Sequence, residues 1–226
     1  MLSPSLRVLY LHGFASSPAS QKAQFFAAQF QKLNIPVEIP DLAQGRFEHL
    51  TITGQLEFID SLVGREPVTL IGSSLGGYLA ALYAARHSHV DRLVLLAPAF
   101  GLYQLWMERF GPEKLAQWKM QGSAPVFHYG LGREAPLSYD FMQDASRYEP
   151  FPDFVQPALI FHGNNDTSVP VAQSVAFAQG RPNVHLIRLD SGHELTDVLE
   201  VMWRECERFV KDEDRRQKVI GSPDLG

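Results

Sequence analysis

Two kinds of segment alternate along the chain: short unbroken apolar runs, and longer stretches in which apolar residues recur every three or four positions. Arg7–Leu11, Val37–Pro40, Val68–Ile71, Arg92–Ala97, Ala158–His162 and Val184–Leu189 are runs of the first kind and predict six strands. Runs with so little polar alternation suit strands covered on both faces. Between them, Ala23, Phe26, Phe30 and Leu33 mark one face of a helix over 20–33, with Ser20 placed as its N-cap. Leu56, Ile59 and Val63 mark a second helix over 53–63. Leu79–Ala85 is so rich in Ala and Leu that it predicts a helix buried all round. Leu195, Val198, Leu199, Met202, Cys206 and Phe209 line one face of a closing helix. Apolar strands separated by helices predict an α/β fold, a mostly parallel sheet with helices on both faces and right-handed crossovers.

The rhythm breaks between Phe100 and Pro157. That region is dense in aromatics, among them Trp106, Phe110, Trp118, Tyr139 and Phe141, and is punctuated by Gly and Pro. A structureless loop of that length is anomalous in a compact domain, so short helices are expected near 102–109, 113–119 and 137–145. Inserted at the carboxyl edge of the sheet, residues 100–157 would form a lid; the alternative is a peripheral insertion whose aromatics pack only on the core. The tail 211–226 is charged and then contains Gly and Pro, a composition that frays.

A length of 226 residues, 45% hydrophobic, suits one α/β domain over 1–226. The formal net charge of -5 gives no general attraction to nucleic acid or to anionic membranes. Cys206 is the only cysteine, so an intrachain disulfide is excluded and nothing points to an oxidising compartment. The amino-terminal apolar run is too short for a signal-peptide core, and no stretch approaches the roughly 18 apolar residues of a membrane span. A cytoplasmic protein is the expectation.

Chemistry concentrates at Gly72-Ser73-Ser74-Leu75-Gly76, a G-x-S-x-G pattern between the Val68 strand and the buried helix. In a nucleophile elbow the serine sits on a strained strand-to-helix corner with its hydroxyl exposed, and glycines flank it because side chains there would collide. A plain Gly-rich turn matches the same pattern. A serine nucleophile needs a histidine base and a carboxylate to orient it. His193 follows the sixth strand, and Asp166, in a Gly-Asn-Asn-Asp turn, follows the fifth. Asp190 is the rival acid, only three residues from His193, but it would have to fold back to reach the ring. Two backbone N–H groups would complete an oxyanion hole: Leu75, directly after the serine, and Phe14, in the loop after the first strand, where Gly13 permits a close turn. His12, His128 and His162 lack metal-ligand spacing, and the Gly72–Gly77 turn lacks the lysine of a phosphate loop, so no metal or cofactor is expected.

With Ser74, Asp166 and His193 in this order, the chain resembles the serine hydrolases of the α/β-hydrolase superfamily over about residues 5–210. The loop Leu9-Tyr-Leu-His-Gly-Phe14-Ala-Ser-Ser-Pro18-Ala-Ser20-Gln-Lys22-Ala23, taken with the Gly-Ser-Ser-Leu-Gly-Gly elbow, is similar to that of small, mostly bacterial esterases. The resemblance implies Ser74 as nucleophile, His193 as base, Asp166 as acid and Phe14 and Leu75 as oxyanion donors. It also implies a six-stranded core, because the chain begins at what is usually the third strand, and a lid longer than that of the smallest esterases. Hydrolysis of a small-molecule carboxylic ester through an acyl-enzyme is the activity expected. Thioesters, acyl transfer, carbon–carbon bonds and a non-catalytic binding role stay open. Trp106, Phe110 and Tyr139 are candidates to line an apolar acyl or aryl pocket.

Overall fold

The computed structural model describes residues 6–211. Its strands are β1 Val8–Leu11, β2 Val37–Glu38, β3 Val68–Ser73, β4 Val90–Leu96, β5 Ser123–His128, β6 Arg133–Ser138, β7 Ala158–Gly163 and β8 Val184–Leu189. Its helices are α1 Gln21–Lys32, α2 Ile52–Val63, α3 Leu75–Ala84, α4 Leu102–Gln121, α5 Asp140–Ala145, α6 Val171–Ala178 and α7 Leu199–Lys211. Six strands form one parallel sheet in the order β2-β1-β3-β4-β7-β8.

The period of two along a strand sends alternate side chains to opposite faces, and here both faces are buried. Leu9 and Leu11 of β1 join Ile59, Leu79 and Leu82 of α2 and α3 on one side. Val8 and Tyr10 join Phe26 and Phe30 of α1 and Trp203 and Phe209 of α7 on the other. That double covering is why the strands read as unbroken apolar runs. Arg92, buried in β4, donates to the carbonyls of Phe209 and Val210 and lies 5.5 Å from the Phe209 ring centre, which ties the carboxyl end of α7 to the sheet.

The six expected strands and the first two helices stand within a few residues of their expected places. The α/β-hydrolase architecture that the sequence implied, a six-stranded parallel sheet with helices on both faces, is the one observed. Two local expectations are corrected, at Leu195 and at Leu137, and two elements went unexpected. Leu195 does not start the closing helix: it adopts a left-handed φ of 54° in a turn and adds its buried side chain to the core, and α7 begins at Leu199. The helix α6 between β7 and β8 carried too short an apolar pattern to be singled out.

In the inserted region, α4 is two helical segments merged across Gly111 (φ 71°, ψ 165°) and Pro112, near the expected break, but Leu137 is in a strand and not a helix. β5 and β6 make an antiparallel hairpin that the sequence reading missed. Each strand holds a proline, and Pro125 and Pro136 stand directly opposite one another. Proline argues against a strand except where no N–H is needed, as in the pairs of an antiparallel ribbon that exchange no hydrogen bonds.

Beyond Lys211, which closes α7, the tail expected to fray lies outside the described residues. No helix among the described residues is long and apolar enough to cross a membrane.

Candidate active site

Ser74 occupies the corner between β3 and α3 with φ 53° and ψ -115°, a conformation that costs an L-residue about 1–3 kcal/mol. Its surroundings enforce it. The Ser74 N–H donates to Leu96 O at 2.8 Å, continuing the β3–β4 ladder, and its carbonyl accepts from Tyr78 at 3.1 Å and Ala99 at 3.0 Å. The flanking glycines are required by space. A Cβ on Gly72 would stand 2.3 Å from Gly76 O, and one on Gly76 would stand 2.1 Å from Leu11 O. Gly13 carries no such load: a Cβ there would meet Ser73 O and Ser74 Cβ at 3.5 Å, an ordinary contact.

The β8–α7 loop brings His193 over this corner. Its Nε2 lies 3.1 Å from Ser74 Oγ and its Nδ1 2.7 Å from Asp166 Oδ2. Asp166 comes from the turn after β7, and Gly163 lets the two loops touch, since a Cβ there would lie 2.3 Å from Ser191 O. Asp190 is exposed and accepts from Asn165 Nδ2 at 2.9 Å, so the structure brings Asp166 and not its rival to the imidazole.

The Asp166 carboxylate is enclosed by donors. Oδ1 accepts the Ser168 and Val169 N–H groups, each at 2.8 Å, while Oδ2 faces His193 and also His162 Nε2 at 3.2 Å. His162 Nε2 also faces Val169 O at 2.9 Å, an atom that can only accept, so this nitrogen carries the proton and Nδ1 accepts from the Ser174 hydroxyl at 2.7 Å. Burial by itself would raise the Asp166 pKa, but hydrogen bonds from His162, His193 and the Val169 N–H, with the charge of His193, hold it well below the usual carboxylate range. His162 was considered in the sequence only as a possible metal ligand. Its place four residues before Asp166, at the end of the same strand, was the signal that could have found it.

Lys22 is a second residue that sequence reasoning left without a role. Buried in the first turn of α1, it donates to Glu194 O at 2.6 Å and lies 3.6 Å from the Glu194 carboxylate, fastening the segment just after His193. Burial lowers the amine's pKa, and the nearby charges of Glu194 and Asp166 oppose that shift.

The loop after β1 is held from both sides. His12 Nδ1–H donates to Gly13 O at 2.9 Å, and its Nε2 accepts the Leu42 N–H at 3.1 Å, which identifies the neutral tautomer. Ser16 N–H also donates to Gly13 O, at 3.3 Å. A trans peptide points its N–H opposite its C=O, so anchoring the Gly13 carbonyl sets the direction of the Phe14 N–H. Among the described residues, neither the Phe14 N–H nor the Leu75 N–H, the first of α3, meets an intramolecular acceptor.

A cavity of about 1140 Å³ opens onto Ser74 and His193. Phe14, Leu102, Leu105 and Trp106 form an apolar wall, and Ser17, Gln21, Lys22 and Thr196 a polar one. Of the three aromatics expected to line it, Trp106 does so and Phe110 and Tyr139 do not. Phe110 packs behind Trp106, with ring centres 5.5 Å apart, and Tyr139 packs on Trp118 at 5.6 Å. No group of three or more metal-ligating side chains stands together among the described residues.

A family model, described as an uncharacterised protein family, UPF0227, matches residues 7–209. The human protein "Monoacylglycerol lipase ABHD6" is 29% identical over 175 residues, which make up 72% of this chain and 49% of that protein. The chain spans about a third to a half of the length of the curated relatives it matches, 32% and 49%. Among solved structures, the alpha/beta hydrolase domain-containing protein 10 of mouse superposes with a TM-score of 0.78 at 20% identity, covering 93% of this chain and 91% of that one. Est1E of Butyrivibrio proteoclasticus with ferulic acid bound superposes with a TM-score of 0.76 at 19% identity, covering 91% and 90%. These likenesses show the α/β-hydrolase fold.

Proposed function

This chain belongs to the uncharacterised protein family UPF0227, and we propose that it acts as a serine hydrolase of carboxylic esters. The observation that carries this reading is the hydrogen-bonded chain from Ser74 Oγ through His193 to the buried Asp166 carboxylate, 3.1 Å and 2.7 Å long in its two links, with Ser74 and His193 lining a cavity. A hydroxyl next to an imidazole with a free Nε2 lone pair is an activated nucleophile. The ferulic acid bound to Est1E and the activity named for ABHD6 agree with ester chemistry.

In the reaction, Ser74 Oγ attacks the ester carbonyl as its proton passes to His193 Nε2. Asp166 keeps the imidazole in the tautomer that can take that proton and stabilises the imidazolium that results. The carbonyl oxygen gains negative charge toward the Phe14 and Leu75 N–H groups, each worth about 3–4 kcal/mol to such an intermediate. His193 returns the proton to the leaving alcohol, and Ser74 is left acylated. Water, activated by the same imidazole, then releases the acid. The apolar wall of Phe14, Leu105 and Trp106 suits an apolar acyl or aryl group, and the insertion 100–157 acts as the lid that supplies most of that wall.

Short p-nitrophenyl esters, matched thioesters and a fluorophosphonate probe test the reading. Wild-type protein should turn over the esters and be labelled at Ser74, and Ser74→Ala should do neither. Turnover that survives in Ser74→Ala would exclude the mechanism, and a preference for thioesters would move the assignment to a thioesterase acting through the same residues.

A further inference from the structure

We propose that the β5–β6 hairpin is a positioning element for the oxyanion loop: through Gly130 it holds Phe14–Ser17 in the conformation that presents the Phe14 N–H. The inference rests on the hydrolase reading and gives the inserted region a role in the chemistry beyond roofing the cavity.

It starts from strain. Ala15, directly after Phe14, is buried and has a φ of 52°, in the left-handed region that a Cβ disfavours. Such a residue stays in place only where its surroundings over-determine it. On the strand side, the Gly13 carbonyl is fixed by the His12 ring and the Ser16 N–H. On the far side, the Ala15 carbonyl is engaged by the hairpin turn, whose Gly130 N–H donates to it at 3.2 Å. Phe14 lies between these two anchored carbonyls.

The turn is shaped for this contact. Gly130 lies so close to the loop that a Cβ would stand 2.9 Å from Ser17 Cβ and 3.2 Å from Ser16 O. The hairpin is also stiff at this end. The carbonyl of His128 accepts from Leu131 at 3.0 Å and Gly132 at 2.8 Å. The His128 ring packs edge-on against Phe47 at 4.5 Å between centres, and Phe47 in turn packs on the Phe14 ring at 5.5 Å. Backbone and ring of Phe14 are therefore both referred to one element, more than a hundred residues away in sequence.

The test is Gly130→Ala, with His128→Ala as a second variant that loosens the hairpin without adding an atom to the contact. Rates are divided by the fraction of sites a fluorophosphonate labels, so that misfolded protein does not count. Removing an oxyanion donor costs about 10²–10³ in kcat, and a displaced donor should cost about 10- to 100-fold. Each variant should lower kcat by that factor with little change in KM, and should weaken a phenylboronic acid that mimics the tetrahedral intermediate in parallel. Ala15→Gly, which removes the left-handed penalty, should restore most of the loss when combined with either. Leu131→Ser, on the exposed face of the turn, should keep wild-type kcat.

A kcat within twofold of wild type in both variants overturns the proposal, as does a rise in KM alone or a loss that Ala15→Gly leaves uncorrected. Amide exchange across 14–17, faster in Gly130→Ala than in wild type, reads the same contact without any activity. If the wild-type protein neither labels nor turns over esters, the hydrolase reading fails while this exchange still decides whether the hairpin holds the loop.

Discussion

Replacing Asp166 by Asn tests the acid assignment most sharply, because the structure dictates how the amide must turn. Oδ1 accepts two backbone N–H groups, from Ser168 and Val169, which cannot become acceptors. The amide oxygen therefore takes that side, and the NH2 is forced toward His193 and His162. His193 can answer by moving its proton to Nε2, so that Nδ1 accepts from the amide. That tautomer presents N–H to Ser74 Oγ in place of the lone pair, and the proposed general base is lost. The loss expected of a triad with the wrong tautomer is about 10⁴ in kcat, or about 5.4 kcal/mol.

His162 cannot make the same exchange, because its Nε2 proton is also engaged by Val169 O. One buried donor is then left facing the amide, at a stability cost of about 1–3 kcal/mol, which for a chain of this length lowers Tm by roughly 2–12 °C. The assay is p-nitrophenyl ester hydrolysis per labelled site with thermal melts alongside, and Asp190→Asn as control. Asp190→Asn should keep kcat within twofold. A kcat within tenfold of wild type in Asp166→Asn, or an equal loss in Asp190→Asn, refutes the reasoning.

Gly76→Ala places a Cβ 2.1 Å from Leu11 O, a backbone atom with little room to retreat, so the cost should reach at least about 3 kcal/mol and lower Tm by about 6–12 °C; a shift under 3 °C would show that the corner is softer than its contacts indicate. His12, His89 and His128 all have pKa values pulled below the ordinary imidazole value, chiefly by burial. The unfolded chain then binds more protons than the folded one below about pH 6.5, so stability is full above that pH and falls as the solution is acidified; melts at pH 7.5 and 5.5 should show the lower Tm at 5.5, and the opposite order would contradict the burial of these rings. Cys206 is fully buried and its thiol pKa is pushed up by that burial, so a thiol-reactive chromophore should label native protein only at the rate of unfolding, and Cys206→Ser should cost about 1–3 kcal/mol in denaturant melts.

The sequence by itself determined the α/β sheet and the local geometry of the elbow, because both are written over short distances. Side-chain periodicity distinguishes a strand buried on both faces from an amphipathic helix within about ten residues. The Gly72 and Gly76 requirement arises from contacts within the strand-turn-helix unit and with the neighbouring strand end. Even the left-handed Leu195 shows the limit of this signal: its apolar character reported burial correctly and helicity wrongly, since a turn can bury a side chain as well as a helix can.

What only the tertiary structure decided is how separate strand ends meet. Asp166 rather than Asp190 faces His193 because Gly163 lets two loops touch, and no spacing in the chain records that contact. Lys22 takes its place for the same reason, bonded to the loop after β8, whereas His162 meets Asp166 within the turn after its own strand. Residues 123–138 form a hairpin against the local evidence of their prolines, because pairing and packing against the Phe14 loop outweigh a weak strand preference. Propensity acts through a few neighbours and is worth tenths of a kcal/mol per residue, whereas the contacts that arrange this site join the ends of separate strands, Ser74 to His193 across 119 positions, and exist only after the sheet has formed.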